Sequence, residues 1–299
     1  MTGDIAIDEV SEVGMFRATK FENATQTLQH YADEFDVAIT RALAIFAGIE
    51  QYKADRDGTF FYEPNNGGST TMITPEQFKD AFLESMEAVT ICEYEKPKGR
   101  ALKIKDVWLD DPIGSGGSEI LDVNVLTEKQ ILELKSIFAP FNGIIFPQDV
   151  NKIYSKSEIS KIYKLITNTK LGKNEMASRK HRSLSLGESW SHSKPQETIW
   201  TYLTLELRKW AINDGYDYFC YVNAHEKDGS ICYVALSDNT FGKPIATYRF
   251  DHERYSELPA SALAARANAL TLKGESSVLI DDLIWCGQPP CEYWSKESC

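Results

Sequence analysis

The stretch Gly215–Ser237, GYDYFCYVNAHEKDGSICYVALS, most constrains how this chain can fold. Two runs rich in aromatic and β-branched residues, Tyr216–Val222 and Ile231–Leu236, flank a polar turn that contains Gly229. Such side chains suit a pleated, half-buried surface, and glycine permits the positive φ that a tight turn needs. The stretch therefore predicts a β-hairpin in the core sheet, and we expect Ile245–Phe250 to extend it into a meander.

The rest of the chain mixes helical and strand patterns. Apolar residues recur at three- and four-residue spacing over Phe21–Lys53, and capping signals predict helix starts at Thr74 and Thr127. Further helices are predicted over Lys156–Thr167, Pro195–Asn213 and Pro259–Leu272, and strands over Ala101–Leu109, Ile120–Leu126, Gly143–Phe146 and Ser277–Trp285. This order predicts an α+β fold, in which helices surround a mixed or antiparallel sheet.

Three parts are expected along the chain. Residues 1–20 are polar and irregular and predict an N-terminal arm, residues 21–284 form the α+β core, and residues 285–299 form a cysteine-rich C-terminal arm. Thr169–Ser193 is expected to be a long polar connection and is the place for a sub-boundary within the core.

Charge and hydropathy limit the class of protein. The longest apolar run, Ala42–Ile49, is too short to span a bilayer, and the N-terminus has no signal-like core, so we expect a cytosolic protein. The net charge of −12 argues against direct binding of nucleic acid. Ten basic residues nevertheless fall between Asn151 and Lys194 against three acids, which makes that segment +7 and leaves −19 for the remainder. This asymmetry favours docking to a charged protein surface, although a solvated basic loop explains it equally well.

Six cysteines occur, and three of them lie in the last fourteen residues: Cys286, Cys291 and Cys299. Their spacing fits none of the common zinc patterns, and we expect cytosolic thiols to be reduced. Cys220 and Cys232 lie on the two predicted hairpin strands and face each other if the turn register permits. The expected state of these two and of Cys92 is a buried free thiol.

No catalytic or metal-binding constellation stands out. Gly114-Ser-Gly-Gly lies between predicted strands and is not followed by Gly-Lys-Ser/Thr, so a hairpin loop is favoured over a phosphate cradle. Gly187-Glu-Ser189-Trp-Ser191 lacks the second glycine of a nucleophile elbow, although His192 follows it. The paired acids Asp110-Asp111 and Asp281-Asp282 could bind a divalent cation but are more typical of solvated strand ends. We assign no catalytic residue, metal or cofactor.

The hairpin carries one family resemblance. Gly215-Tyr216-Asp217 followed by a strand, a tight turn and Cys232-Tyr233-Val234 resembles a motif of bacterial and phage ADP-ribosyltransferase-like toxin domains. The resemblance implies NAD as substrate. The Arg, Ser-Thr-Ser and Glu-x-Glu elements of that family have only partial counterparts here, in Arg182-Ser183-Leu-Ser185 and Glu206.

The C-terminal arm carries the second resemblance. Its aromatic residues and cysteines are typical of an oligomer interface, for which the candidates are Trp285, Cys286, Cys291, Tyr293, Trp294 and Cys299. An acidic chain of this length with an N-terminal arm, an α+β core and such a tail resembles the phage anti-Gabija inhibitor family. That resemblance implies a homo-oligomer that encircles the Gabija nuclease–ATPase complex in the host bacterial cytoplasm and blocks its action on DNA.

Three functions therefore remain open. The first is a non-enzymatic, oligomeric inhibitor of a bacterial defence complex, whose partner-binding residues would be Lys170, Lys173, Arg179, Lys180 and Arg182. The second is an ADP-ribosyltransferase-like effector that uses NAD. The third is an acidic immunity or antitoxin-type binding protein, which needs no cysteine tail.

Overall fold

The computed structural model describes residues 14–20, 25–48, 51–54, 59–64, 68–106, 113, 121, 126–139, 147–185, 188–223, 227, 229–261 and 294–298. These residues form an α+β fold with a mixed sheet, which confirms the predicted class. The strands are β1 (Met15–Thr19), β2 (His30–Ala32), β3 (Tyr52–Ala54), β4 (Phe60–Tyr62), β5 (Thr71–Met72), β6 (Thr90–Tyr94), β7 (Ala101–Lys103), β8 (Tyr218–Val222), β9 (Ile231–Ala235), β10 (Ala246–Phe250) and β11 (Trp294–Ser298). The helices are α1 (Phe35–Ile45), α2 (Pro75–Met86), α3 (Glu128–Phe138), α4 (Pro147–Ile153), α5 (Lys156–Thr167), α6 (Lys170–Ser185), α7 (Trp190–Asn213) and α8 (His252–Ser256).

The large sheet has eight strands in the order β11-β10-β6-β1-β2-β9-β8-β7. Its neighbours are antiparallel, except that β7 and β8 are parallel. The predicted hairpin is confirmed, because β8 and β9 pair along their whole length. The predicted meander is wrong, since β10 pairs with β6 and β11 at the opposite end of the sheet. The residues of Ile245–Phe250 do predict a strand, but a strand pattern does not specify its neighbour.

The expected N-terminal arm is partly wrong. Met15–Thr19 forms β1, which lies in the middle of the large sheet between β2 and β6. Met15 is fully buried on one face of the sheet and Phe16 is 4% exposed on the other. Because both faces are covered at this point, the strand lacks the apolar–polar alternation by which half-buried strands are recognised.

The helix predicted over Phe21–Lys53 is much shorter. Only Phe35–Ile45 is helical, while β2 precedes it and β3 follows it. Leu28 and Tyr31 supplied two members of the apparent helical stripe, but Leu28 has a positive φ of 59° and Tyr31 lies on β2. A short strand that leads directly into a helix gave a spacing that imitates a longer helix.

The largest error concerns Thr169–Ser193. The chain there forms α6 and the start of α7, where we expected a long connection. The helix is hard to recognise because few of its residues are apolar. Its buried positions include Met176 but also Glu175 and Ser183, and the Ser193 hydroxyl of α7 donates a 3.0 Å hydrogen bond to that of Ser183.

The helices pack against one face of the large sheet. Phe16 and Ala32 are directly paired, so they share this face, and each belongs to one of the two helix-facing clusters of buried apolar residues. Helices α1 and α2 contribute to the first cluster, and α3, α4, α5 and α7 contribute to the second. Tyr31 and its partner Tyr233 lie on the opposite face, in a third cluster that is rich in tyrosine.

Several predicted elements lie outside the described residues: the strands Gly143–Phe146 and Ser277–Trp285, nearly all of the helix Pro259–Leu272 and most of the strand Ile120–Leu126. The strand predicted from Ala101 is described as β7, which ends at Lys103. None of the helices described is long and apolar enough to cross a membrane.

Candidate functional site

Where the hairpin meets helix α1, five polar side chains form a group that we call the hairpin cluster: His30, Arg41, Tyr221, Asn223 and Cys232. The Tyr221 hydroxyl lies 2.8 Å from Nδ1 of His30. Nη2 of Arg41 donates to that hydroxyl and to the Cys232 sulfur, each over 3.2 Å. The Asn223 amide also donates to the sulfur, over 3.5 Å. The cluster joins β2, α1, β8 and β9 at the helix-facing side of the sheet.

The imidazole of His30 is neutral at physiological pH. Burial lowers its pKa to about 3, and the guanidiniums of Arg41, Arg179 and Arg17 lower it further. His30 keeps part of its surface exposure, but its ring lies deep enough for burial to be the largest cause. The Tyr221 hydroxyl accepts from Arg41 and keeps its own proton to donate, so Nδ1 of His30 is assigned as the acceptor. The proton of the neutral ring is then on Nε2.

The two hairpin cysteines do not face each other. In the observed register Cys220 is paired with Tyr233, and Cys232 is paired with Tyr221. The offset of one residue places the thiols on opposite faces of the sheet, and they belong to different apolar clusters. Both are buried free thiols, as predicted, whereas Cys92 is a free thiol that is only half-buried. Burial raises the pKa of Cys220 to about 11.

The Gly215-Tyr216-Asp217 motif has a structural task after helix α7. Gly215 takes a φ of 82°, which turns the chain from the helix into β8. The Arg100 guanidinium lies 4.1 Å from the centre of the Tyr216 ring, and the Arg100 amide donates to Asp217 over 2.8 Å. Gln130 of α3 donates to the Tyr216 hydroxyl over 3.3 Å. These contacts join α7, β7, β8 and α3, and they account for the three residues by packing and hydrogen bonding.

The other residues considered for group transfer lie on helices. Ser183 of α6 is buried, and Glu206 of α7 is half-buried. Ser189 directly precedes α7, with its hydroxyl 2.7 Å from that of Ser191, and His192 is exposed on the first turn. The serine and histidine of the imperfect elbow therefore lie on a helix start, whereas a nucleophile elbow joins a strand to a helix.

The basic residues of α6 separate into two groups. Lys170, Lys173 and Lys180 are exposed, whereas Arg179 and Arg182 are half-buried. The acid of this helix, Glu175, is 9% exposed and its pKa is raised by burial, against the opposing effect of Arg179. The helix thus presents lysines to solvent and arginines toward the protein.

The described end of the C-terminal arm is part of the large sheet. Trp294–Ser298 forms β11, which pairs with β10 so that Trp294 is opposite Phe250 and Ser298 is opposite Ala246. The expectation that the arm lies wholly outside the core is therefore wrong for these residues. Extended backbone needs a hydrogen-bonding partner, and β10 would otherwise present a bare sheet edge. The remaining interface candidates lie outside the described residues: Trp285, Cys286, Cys291, Tyr293 and Cys299.

Three other sequence motifs also lie outside the described residues, namely Gly114-Ser-Gly-Gly, Asp110-Asp111 and Asp281-Asp282. Within the described part of the chain, no group of three or more His, Cys, Asp or Glu side chains is arranged to hold a metal ion.

Sequence analysis missed the hairpin cluster because its members are far apart in the chain. Nothing in local spacing connects His30 or Arg41 with Tyr221. One signal was present: Arg41 is the single charged residue in the apolar segment VAITRALAIF, and it is 7% exposed. A buried arginine needs polar partners, so its position indicates a polar cluster in the core. The chain matches no protein-family model, and comparison with curated proteins and with solved structures also gives no match.

Proposed function

We propose that this chain is a non-enzymatic binding protein that docks an acidic protein surface through the lysines of α5 and α6. The docking surface, called the lysine face below, consists of Lys161, Lys164, Lys170, Lys173 and Lys180. All five are exposed. The separation of exposed lysines from inward arginines on α6 is the observation that carries this proposal.

The two helices contribute to one unit. At Gly172 of α6 an added Cβ would stand 2.1 Å from the carbonyl oxygen of Ile166, so the helices are in backbone contact there. The acids of α5 and α6 do not offset the lysines. The Glu158 carboxylate accepts from the amide and hydroxyl of Ser155 at the start of α5, and Glu175 is buried. A basic face on a chain of net charge −12 favours an acidic partner and increases its rate of association.

The resemblance of the overall layout to phage anti-Gabija inhibitors supplies the partner in this proposal. The chain would act in the host bacterial cytoplasm as a homo-oligomer, bind the Gabija nuclease–ATPase complex and block its action on DNA sterically. The C-terminal arm would assemble the oligomer. No cofactor is needed for such a role.

The proposal is tested by binding of the purified Gabija complex to charge-reversed variants. The triple variant Lys170→Glu, Lys173→Glu, Lys180→Glu should bind at least about tenfold more weakly, chiefly through slower association at low salt. The control variant Lys135→Glu, Lys209→Glu, Lys243→Glu changes the net charge equally at exposed sites elsewhere. Equal losses in both variants would contradict the lysine face. Absence of wild-type binding would contradict the Gabija partner.

The ADP-ribosyltransferase-like alternative stays a prediction that NAD consumption would test. The Gly215-Tyr216-Asp217 contacts described above favour a structural role for that motif. The immunity or antitoxin-type alternative shares the acidic composition, and it differs from the inhibitor in predicting no dependence of oligomeric mass on the tail.

A further inference from the structure

The hairpin cluster is continuous with the inward face of α6. The Arg179 guanidinium is close enough to lower the pKa of His30, and Arg41 does so from α1. Two guanidiniums from different helices thus lie near one neutral imidazole. His30 and Arg179 are each half-buried, so the cluster reaches the surface at these two residues.

The groups near this opening are hydrogen-bond donors. Nδ1 of His30 is occupied by the Tyr221 hydroxyl, which leaves the Nε2–H as the other donor of the ring. Guanidiniums have five N–H donors and no acceptor. Nη2 of Arg41 is held by the tyrosine hydroxyl and by the Cys232 sulfur, so its orientation is fixed. An oriented set of donors suits an oxyanion, and arginine in particular matches the geometry of phosphate oxygens.

The charged groups around the cluster have a positive balance. The buried or half-buried arginines on α1 and α6 are Arg41, Arg179 and Arg182, and the buried acids on α6 and α7 are Glu175 and Glu197. With both acids ionised, three cations and two anions leave +1. Burial raises the pKa of Glu175, which increases the positive balance when that carboxyl takes up a proton.

We propose that the hairpin cluster and Arg179 form a binding site for a small oxyanion of the phosphate class. Arg41 and Arg179 supply its positive charge, and the Nε2–H of His30 supplies a neutral donor. Tyr221 and Cys232 are positioning residues, because they hold Arg41 and His30 in place. This site is distinct from the lysine face, since it uses the inward side of α6.

The test is a titration of the whole chain with inorganic phosphate at constant ionic strength, with sodium chloride as the balance. Binding to the native state raises the unfolding temperature as phosphate increases, and ³¹P line broadening reports binding directly. The site variant is Arg179→Gln. The matched control is Lys180→Gln, which removes one positive charge from the adjacent, exposed position of the same helix.

We expect the wild type and Lys180→Gln to bind phosphate with affinities within about twofold of each other and Arg179→Gln to bind at least about tenfold more weakly, since one charge-assisted hydrogen bond is lost. Phosphate also stabilises folded proteins without binding a site. An equal rise of unfolding temperature in all three proteins would therefore overturn the proposal. If Arg179→Gln does not fold, the wild-type ³¹P titration still decides, because unbroadened phosphate signals would overturn the site. Lys180→Gln tests the lysine face at the same time, because it should weaken partner binding and leave phosphate binding intact.

Discussion

The carboxylate of Asp217 occupies the space that a side chain on Gly99 would need. A Cβ at Gly99 would stand 2.3 Å from Oδ2 of Asp217, the same oxygen that accepts the amide hydrogen of Arg100 over 2.8 Å. The contact lies directly before the parallel pairing of β7 with β8, which begins with Ala101 opposite Tyr218. Asp217 of the Gly-Tyr-Asp motif therefore fixes how these two strands meet.

Replacing Gly99 with alanine should destabilise the fold through two effects. The residue has a φ of 117°, a region that side chains rarely adopt, and the new methyl group would collide with Asp217. We expect Gly99→Ala to lower the free energy of unfolding by about 2–4 kcal/mol in denaturant titration. The control is Gly242→Ala, where φ is 69° but no atom lies within 4 Å of the added Cβ. That variant should lose only the strain, about 1–2 kcal/mol. Equal losses would show that the collision with Asp217 is unimportant.

Two glutamines in the same capping position should differ in their contribution to stability. Gln77 of α2 and Gln130 of α3 both close capping boxes. Gln130 also donates to Asp214 over 2.5 Å and to Tyr216 over 3.3 Å, and it is 9% exposed. We expect Gln77→Ala to cost about 0.5–1 kcal/mol and Gln130→Ala about 2–3 kcal/mol, measured by thermal or denaturant unfolding. A cost for Gln130→Ala no larger than that for Gln77→Ala would contradict the role assigned to its buried contacts.

Local signals in the sequence were sufficient where the structure is decided locally. The capping boxes at Thr74 and Thr127 are present as predicted, because a cap is satisfied by residues three positions apart. The hairpin of β8 and β9 is present for the same reason: its turn and both strands are adjacent in the chain. The α+β class follows from such elements and needs no knowledge of their order in the sheet.

Long-range contacts decided what the sequence did not show. Whether β10 pairs with β9 or with β6 depends on which strands enter the sheet between them, and β1 and β2 come from the distant N-terminal part of the chain. Helix α6 is buried partly through Glu175 and Ser183, which are ordinarily surface residues. The hairpin cluster exists only because the fold brings His30 and Arg41 to Tyr221.

The thiols of Cys220 and Cys232 should stay reduced and react slowly. They lie on opposite faces of the sheet, and the pKa of Cys220, about 11, keeps that thiol protonated at neutral pH. Alkylation of the native protein at pH 8, followed by peptide mass spectrometry, should label Cys92 before either of them. Under oxidising conditions no peptide linking Cys220 to Cys232 should form. Detection of that disulfide would contradict the observed register.

Asp238 should stabilise the protein in a pH-dependent way. One of its carboxylate oxygens accepts hydrogen bonds from the Gln26 amide over 3.1 Å, the Thr27 amide over 3.0 Å and the Thr27 hydroxyl over 2.7 Å, and from the hydroxyl of Thr25. The hydrogen bonds from Thr25 and Thr27 lower its pKa from 3.8 to about 2. The ionised form is therefore favoured by folding. The stabilisation is fully present above pH 3.8 and is lost as pH falls through about 2.

The comparison of the wild type with Asp238→Asn isolates this contribution. Because the group is exposed, we expect a difference in the free energy of unfolding of only about 1 kcal/mol at pH 7, decreasing between pH 4 and pH 2. Asp80→Asn is the control, since it removes the same charge from an exposed position on α2. A difference for Asp238→Asn that does not change with pH would contradict the role of the ionised carboxylate.

Removing the C-terminal arm should separate its role within the chain from its proposed role in assembly. A chain that ends at Tyr293 lacks β11 and leaves β10 at the sheet edge, so we expect a lower unfolding temperature. A chain that ends at Ile284 also lacks the other candidate interface residues of the arm, and the proposed oligomer should then dissociate. Light scattering of both chains and of the full chain, each with and without reductant, measures this mass. If the full chain is a monomer in every condition, the assembly role is contradicted, and a lower unfolding temperature of the shortened chains would remain as the sign of a strand that serves its own sheet. If the mass falls only for the chain that ends at Ile284, the interface lies within residues 285–293, and if it falls already at Tyr293, the removed segment that contains β11 is needed for assembly.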